Sequence, residues 1–231
     1  MSGEKKLTDY DYMDEALSVW DKRMTYPRMD AMANNQDKAL ELFVTGQGAM
    51  IFTGNWNIGY AQDWEPLICL AEKTKGVSIK YFIIGEGVMK PVLEEKVREL
   101  ELDNVHILPY QPRSLMSSIL AYSDIQFIFM NPEMEMQGFP SKVYTIMACG
   151  RPLLVCSGKD TPIINFLQEH GCAKLITEKS LEKKVGEMAD WLNSVSKSEL
   201  ALLGRNGVEV IKRLYSKDVV TQKYVDLVET L

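Results

Sequence analysis

The segment "QGFPSKVYTIMACGRP", residues 137–152, brings together the residue types best suited to chemistry in this chain. Gly138 and Pro140 shape a turn, Ser141 can cap a helix, and the run from Lys142 onward has helical spacing. The first amides of a helix have no intrahelical acceptor, and the helix dipole favours negative charge there. Lys142 stands in that first turn against the dipole's preference, which points to an anionic partner such as a phosphate ester. Glu133 and Glu135 lie on the loop just before it. One of them could serve as an acid or base; a solvated loop carboxylate is the plainer reading.

Three further loops deserve the same test. "FTGNWNIGYAQDW" (52–64) carries Gly54, Asn55 and Gly59, but neither the lysine of a P-loop nor the G-x-G-x-x-G order of a dinucleotide fingerprint. A phosphate-facing loop and an ordinary glycine turn fit it equally. "IIGEGVMK" (83–90) places Gly85 and Gly87 where the backbone can pass close to a neighbour, with Glu86 suited to a helix start. A G-x-G alone is weak evidence of a ligand, and a tight strand-to-helix turn is the preferred reading. In "LPYQPRSL" (108–115), Pro109 and Pro112 fix a turn, and Arg113 could meet a phosphate or simply open a helix in solvent. The two histidines, His106 within a strand and His170 before Gly171, read as structural. No G-x-S-x-G or H-E-x-x-H occurs.

These loops need elements to hold them. Six apolar runs read as strands: 49–53, 79–85, 104–109, 125–130, 152–156 and 173–177. Most are continuously apolar, as strands buried on both faces are. Amphipathic segments near 61–75, 89–101, 113–122, 141–149 and 161–169 separate them. The alternation predicts an α/β fold with a doubly wound, parallel, Rossmann-like sheet, whose ligands bind beyond the carboxyl ends of the strands. Residues 179–231 predict three helices packed on the sheet. Residues 1–47 are expected to form a separate helical segment, with Met13, Leu17, Trp20 and Met24 at helical spacing, ahead of a domain spanning 48–231.

A net charge of −6, from 32 acidic and 26 basic residues, opposes non-specific nucleic-acid binding but not a small anion at a helix end. Cys69, Cys149, Cys156 and Cys172 show no metal-ligand spacing; three lie in apolar stretches, which favours buried thiols and fits a reducing compartment. The N-terminus lacks the apolar core of a signal peptide, and no apolar run nears the roughly eighteen residues of a membrane span, so a cytoplasmic location is expected.

With these residues in view, residues 49–225 resemble the C-terminal, nucleotide-sugar-binding half of GT-B glycosyltransferases. The likeness is greatest to retaining family 4 and its bacterial polysaccharide-assembly members. The landmarks come in family order: "TGNWNIGYAQDWEPLI", "FIIGEGVMK", "VHILPYQPRSLMSSILAYSDIQFI", "GFPSKVYTIMACGRPLLV" and "HGCAKLI". The resemblance implies transfer of a sugar from a nucleotide-diphospho-sugar, with no metal or other cofactor and with the diphosphate at the helix after the fourth strand. It implies donor contacts from Gly54, Asn55, Gly85, Gly87, Arg113, Gln137, Gly138, Phe139, Pro140, Ser141, Lys142 and Thr145. The family commonly carries two glutamates spaced E-x7-E at this turn, one near the transferred sugar and one on the ribose. Here Gln137 and Thr145 stand in their places.

GT-B enzymes work between two Rossmann-like domains, and the 48 or so residues ahead of the matching region are too few for a second one. An acceptor-domain partner or self-association is therefore expected. Residues 10–56 instead resemble a segment of the extracellular solute-binding proteins of ABC importers, overlapping at "MIFTGNW". Two rival readings follow: a non-catalytic, fused or truncated nucleotide-binding module, and a solute-binding fragment.

Overall fold

The computed structural model describes residues 51–52 and 58–229. The expected helical segment 1–47, and the expected donor contacts Gly54 and Asn55, lie outside the described residues. Six strands follow the sequence order: β1 (Ile51–Phe52), β2 (Tyr81–Ile84), β3 (Val105–Leu108), β4 (Gln126–Phe129), β5 (Leu153–Cys156) and β6 (Ala173–Ile176). Each lies within the apolar run that predicts it.

All strand pairs are parallel. One sheet runs β1-β2-β3, the other β4-β5-β6, and β1 lies beside β4. The order 3-2-1-4-5-6 places a topological switch between β1 and β4, where the crevice of a doubly wound sheet opens. Residues 61–63 cross that gap. Gln62 bridges Met130 in antiparallel sense, the Asp63 amide donates to the Phe129 carbonyl (3.1 Å), and the Asn131 amide donates to that of Ala61 (3.1 Å).

The continuous apolar runs are explained by two cores. Tyr81, Ile83, Phe127, Phe129, Leu154 and Cys156 face one side of the sheet; Phe82, Ile84, Ile128, Leu153 and Val155 face the other. The first side is covered by α1 (Glu65–Lys73), α2 (Lys90–Glu99) and α6 (Leu181–Ser194). The second is covered by α3 (Met116–Tyr122), α4 (Lys142–Ala148), α5 (Pro162–His170) and α7 (Lys197–Tyr215). A short 3-10 turn, Arg113–Leu115, leads into α3. Helix ends use familiar chemistry. Proline stands in the first turn of α1, α2 and α5, Gly171 ends α5 with a left-handed φ of 57°, and Ser196 accepts from the Glu199 amide at the start of α7.

The tail corrects one expectation. Its three helices form, but they do not all lie on the sheet. Helix α6 packs on α1 and β6, and α7 packs on α4 and α5. Helix α8 (Lys217–Glu229) buries none of its residues and touches α7. Tyr224, Val225, Leu227 and Val228 are exposed, and Val219 and Val220 are half-buried. The seat of α7 depends on glycine. A Cβ on Gly204 would stand 2.1 Å from the Gly150 carbonyl oxygen, and one on Gly207 would stand 3.3 Å from Met147. Helix α7 thereby holds α4 and the turn after it against the sheet.

Candidate functional site

The turn from β4 to α4 stands at the tip of the sheet beside the crossing segment. It is built from successive local bonds. Asn131 accepts the Glu133 amide on its side chain (2.9 Å), while the Met134 amide donates to the Asn131 carbonyl and the Gln137 amide to that of Met134. The side chain of Gln137 donates back to the Glu133 carbonyl (3.1 Å). Phe139 anchors the far end, its ring 5.2 Å from those of Tyr144 and Phe166, in a cluster that includes Tyr215. The Pro140 carbonyl accepts from Val143 (3.0 Å) and that of Ser141 from Tyr144 (3.2 Å).

At the end of this turn, the four amides of Gly138, Phe139, Ser141 and Lys142 have no backbone acceptor among the described residues. Gly138 is exposed, and a Cβ there would meet nothing within 4 Å. Ser141 does occupy the N-cap position, but it differs from the expected cap. Its backbone is already helical (φ −57°, ψ −24°), and its side chain is exposed and caps no amide. With the cap residue wound into the helix, its hydroxyl cannot reach the second or third amide. Thr145 sits one turn further on, half-buried, on the face shared with Ser141.

Lys142 is the electrostatic centre of the site. The residue is half-buried, and desolvation lowers its pKa from 10.5 to about 8. No carboxylate among the described residues pairs with it. Among the described residues, the polar side chain beside it is that of Gln62. The amide of Gln62 lies between the Phe129 carbonyl (3.0 Å from the nitrogen) and Lys142 Nζ (3.2 Å from the oxygen). Only the nitrogen can face a carbonyl and only the oxygen an ammonium, so the neighbours settle the amide's orientation. Nothing in the spacing of "YAQDW" singles out Gln62 in the sequence; its contact spans 80 positions. Gln62 also lines a cleft of about 300 Å³ together with Tyr60, Trp64, Met89, Val92 and Asn131.

The acidic pair separates. Glu133 is exposed. Glu135 reaches the β5 tip, where its carboxylate accepts from the Gly158 amide (2.6 Å) and from Ser157 Oγ (3.1 Å). Ser157 in turn bonds Thr161 Oγ1 (3.0 Å). This carboxylate braces two loops and is not a free acid or base.

Gly85 and Gly87 form the β2 tip. Gly87 has φ +154°, and the place of a Cβ is taken by the backbone of Ile58, whose carbonyl oxygen would be 2.3 Å away. The close approach expected at this glycine is therefore to the chain itself. The Gly85 amide donates to Leu108 (3.1 Å). Arg113 begins the 3-10 turn after β3. His106 stacks on Phe82 (5.0 Å), with burial lowering its pKa, and belongs to the core as expected. The four cysteines are free, and burial raises the pKa of Cys156 and of Cys172, the latter to about 11.

The model of the family of glycosyl transferases group 1 matches residues 64–199, more than half of the chain. The chain belongs to this family. Among curated proteins, a probable glycosyltransferase WbjE of Pseudomonas aeruginosa is 22% identical over 185 residues, covering 80% of this chain and 45% of the relative. Among solved structures, an α,α-trehalose-phosphate synthase (UDP-forming) of Burkholderia vietnamiensis matches with TM-score 0.67 at 10% identity, covering 92% of this chain and 51% of that one. A sucrose-phosphate synthase of Thermosynechococcus elongatus matches with TM-score 0.68 at 16% identity, over 90% and 50%. These likenesses show that the chain shares its fold with about half of each of those two synthases. The chain spans about half the length of these relatives. No described helix is long and apolar enough to cross a membrane.

Proposed function

We propose that this glycosyltransferase chain binds a nucleotide-diphospho-sugar at the tips of β1 and β4 and presents it for transfer to an acceptor. Lys142 carries the reading: a desolvated ammonium at the switch point, with no carboxylate partner among the described residues. A buried charge without a counter-charge is costly, and a diphosphate supplies one. The four unbonded amides of the turn add donors without adding charge. In transfer, the same groups would stabilise the leaving diphosphate, so the reaction calls for no metal. Transfer also needs an acceptor-binding half, which the described residues do not include. Titration with UDP, GDP and their sugars tests the reading; binding that weakens in Lys142→Ala supports it, and the absence of nucleotide binding sinks it.

A second reading, a nucleotide-binding module without turnover, is favoured by one observation. Gln137 and Thr145 carry no carboxylate, and the nearby Glu135 is committed to Gly158 and Ser157. Donor hydrolysis or transfer in the presence of an acceptor extract separates it from the first.

A further inference from the structure

We propose that Gln62 is a positioning residue for diphosphate binding: its side chain, strung between the Phe129 carbonyl and the Lys142 ammonium, holds that ammonium at the tip of β4. The inference rests on the diphosphate reading of the same site. Its warrant is the geometry. The backbone of Gln62 is fixed by the antiparallel bridge to Met130, flanked by the Asp63–Phe129 and Asn131–Ala61 hydrogen bonds. Its amide nitrogen is spent on Phe129, which leaves the oxygen facing Lys142 at 3.2 Å.

The residue type matters as much as the place. An apolar side chain there would leave the desolvated ammonium with no acceptor, so that it would lose its proton or turn away. A glutamate would neutralise it and compete with the ligand. A glutamine satisfies one N–H and leaves the positive charge uncompensated, which is what an anion requires. Of the residues lining the nearby cleft, Gln62 is the one bonded to Lys142. A ligand extending from the diphosphate into that cleft would therefore pass it.

The test is calorimetric titration of the whole chain with UDP and GDP, and with uridine and guanosine as ligands lacking the diphosphate. Gln62→Met keeps the length and removes the acceptor. It is expected to weaken the nucleoside diphosphate roughly tenfold, in line with loss of a hydrogen bond to a charged group, and to leave the nucleoside unchanged. In a Lys142→Ala background the same substitution should cost nothing further. Gln62→Glu should weaken the diphosphate at least as much. If Gln62→Met melts well below the wild type, Gln62→Asn, too short to span both groups, is read in its place. Unchanged diphosphate affinity, an equal loss for nucleoside and diphosphate, or additive losses with Lys142→Ala would each overturn the proposal. If Lys142→Ala weakens binding and the Gln62 variants do not, this inference falls and the diphosphate reading stands. If the wild type binds no nucleoside diphosphate, both fall.

Discussion

Two turns in this molecule are built to one pattern and end differently. After β2 the chain runs through Gly85, Glu86 and Gly87 into α2, which Lys90 opens; after β4 it runs through Gly138 into α4, which Lys142 opens. At the β2 turn everything is closed internally. The space over Gly87 is filled by Ile58, and Lys90 pairs with Glu86 at 2.7 Å. At the β4 turn the space over Gly138 is empty, and Lys142 meets a neutral amide in place of a carboxylate. A glycine and a first-turn lysine thus mark either a packed corner or a ligand site. What tells them apart is whether the chain itself satisfies the glycine's space and the lysine's charge.

The largest expected effect tests the closed turn. Gly87→Ala would force a Cβ onto the Ile58 carbonyl in a backbone region that side chains avoid, and should cost about 3 kcal/mol of stability. Gly138→Ala, with nothing within 4 Å, should stay within about 0.5 kcal/mol. Urea unfolding of both reads the contrast directly; equal losses would erase it.

Next comes the charge. Lys142→Ala should weaken nucleoside diphosphates by roughly ten- to a hundredfold, the range for hydrogen bonds to a charged group. Lys90→Ala, which breaks its ion pair with Glu86 in the turn four residues earlier, should change affinity less than about twofold. Titration of both variants with UDP and GDP checks this, and comparable losses would mean that the two turns are equivalent after all.

The two turns should also differ in pH dependence. Burial puts Lys142 at about 8, against 10.5 for an ordinary lysine. Below about pH 8 the ammonium is present and diphosphate affinity should be level. Above it a bound anion must draw a proton back onto the amine, so affinity should fall by up to about tenfold per pH unit. Stability of the free protein moves the other way. Between pH 8 and 10.5 the unfolded chain holds more protons at this lysine than the folded one, so stability rises with pH over that window. Parallel titrations and urea melts at pH 7, 8.5 and 9.5 read both signs, and Lys142→Met should flatten both.

Much of this fold is legible in the sequence because it depends on local periodicity. Six apolar runs become six strands, and Gly171 ends its helix, without reference to distant residues. The turn around Lys142 is legible as a place, but its chemistry is not. Gln62 and Glu135 act across the sheet tips, on partners set by strand order, and strand order is not a periodicity. Ser141 shows a further limit: a residue of the right type stands in the right position, and the backbone turns it out of use. Helix α8 shows the same for burial, since its apolar residues are spaced for a helix but meet no sheet.

The smallest effect concerns how the open turn keeps its shape. The β2 turn needs no brace, because Gly87 locks onto Ile58. The β4 loop lacks such a lock and is tied instead through Glu135 to the Gly158 amide and Ser157 hydroxyl. Glu135→Ala would leave the half-buried Gly158 amide without an acceptor, while the Ser157 hydroxyl keeps Thr161, and should cost about 1–2 kcal/mol. It should also weaken nucleoside diphosphates about threefold by letting the turn drift, a shift of about 0.6 kcal/mol. Glu135→Gln keeps an acceptor oxygen, so if hydrogen bonding is what holds the loop, it should recover most of both losses. Hydrogen exchange at the Gly158 amide distinguishes the outcomes: fast in Glu135→Ala and slow in Glu135→Gln if the brace is a hydrogen bond, fast in both if it requires the full negative charge.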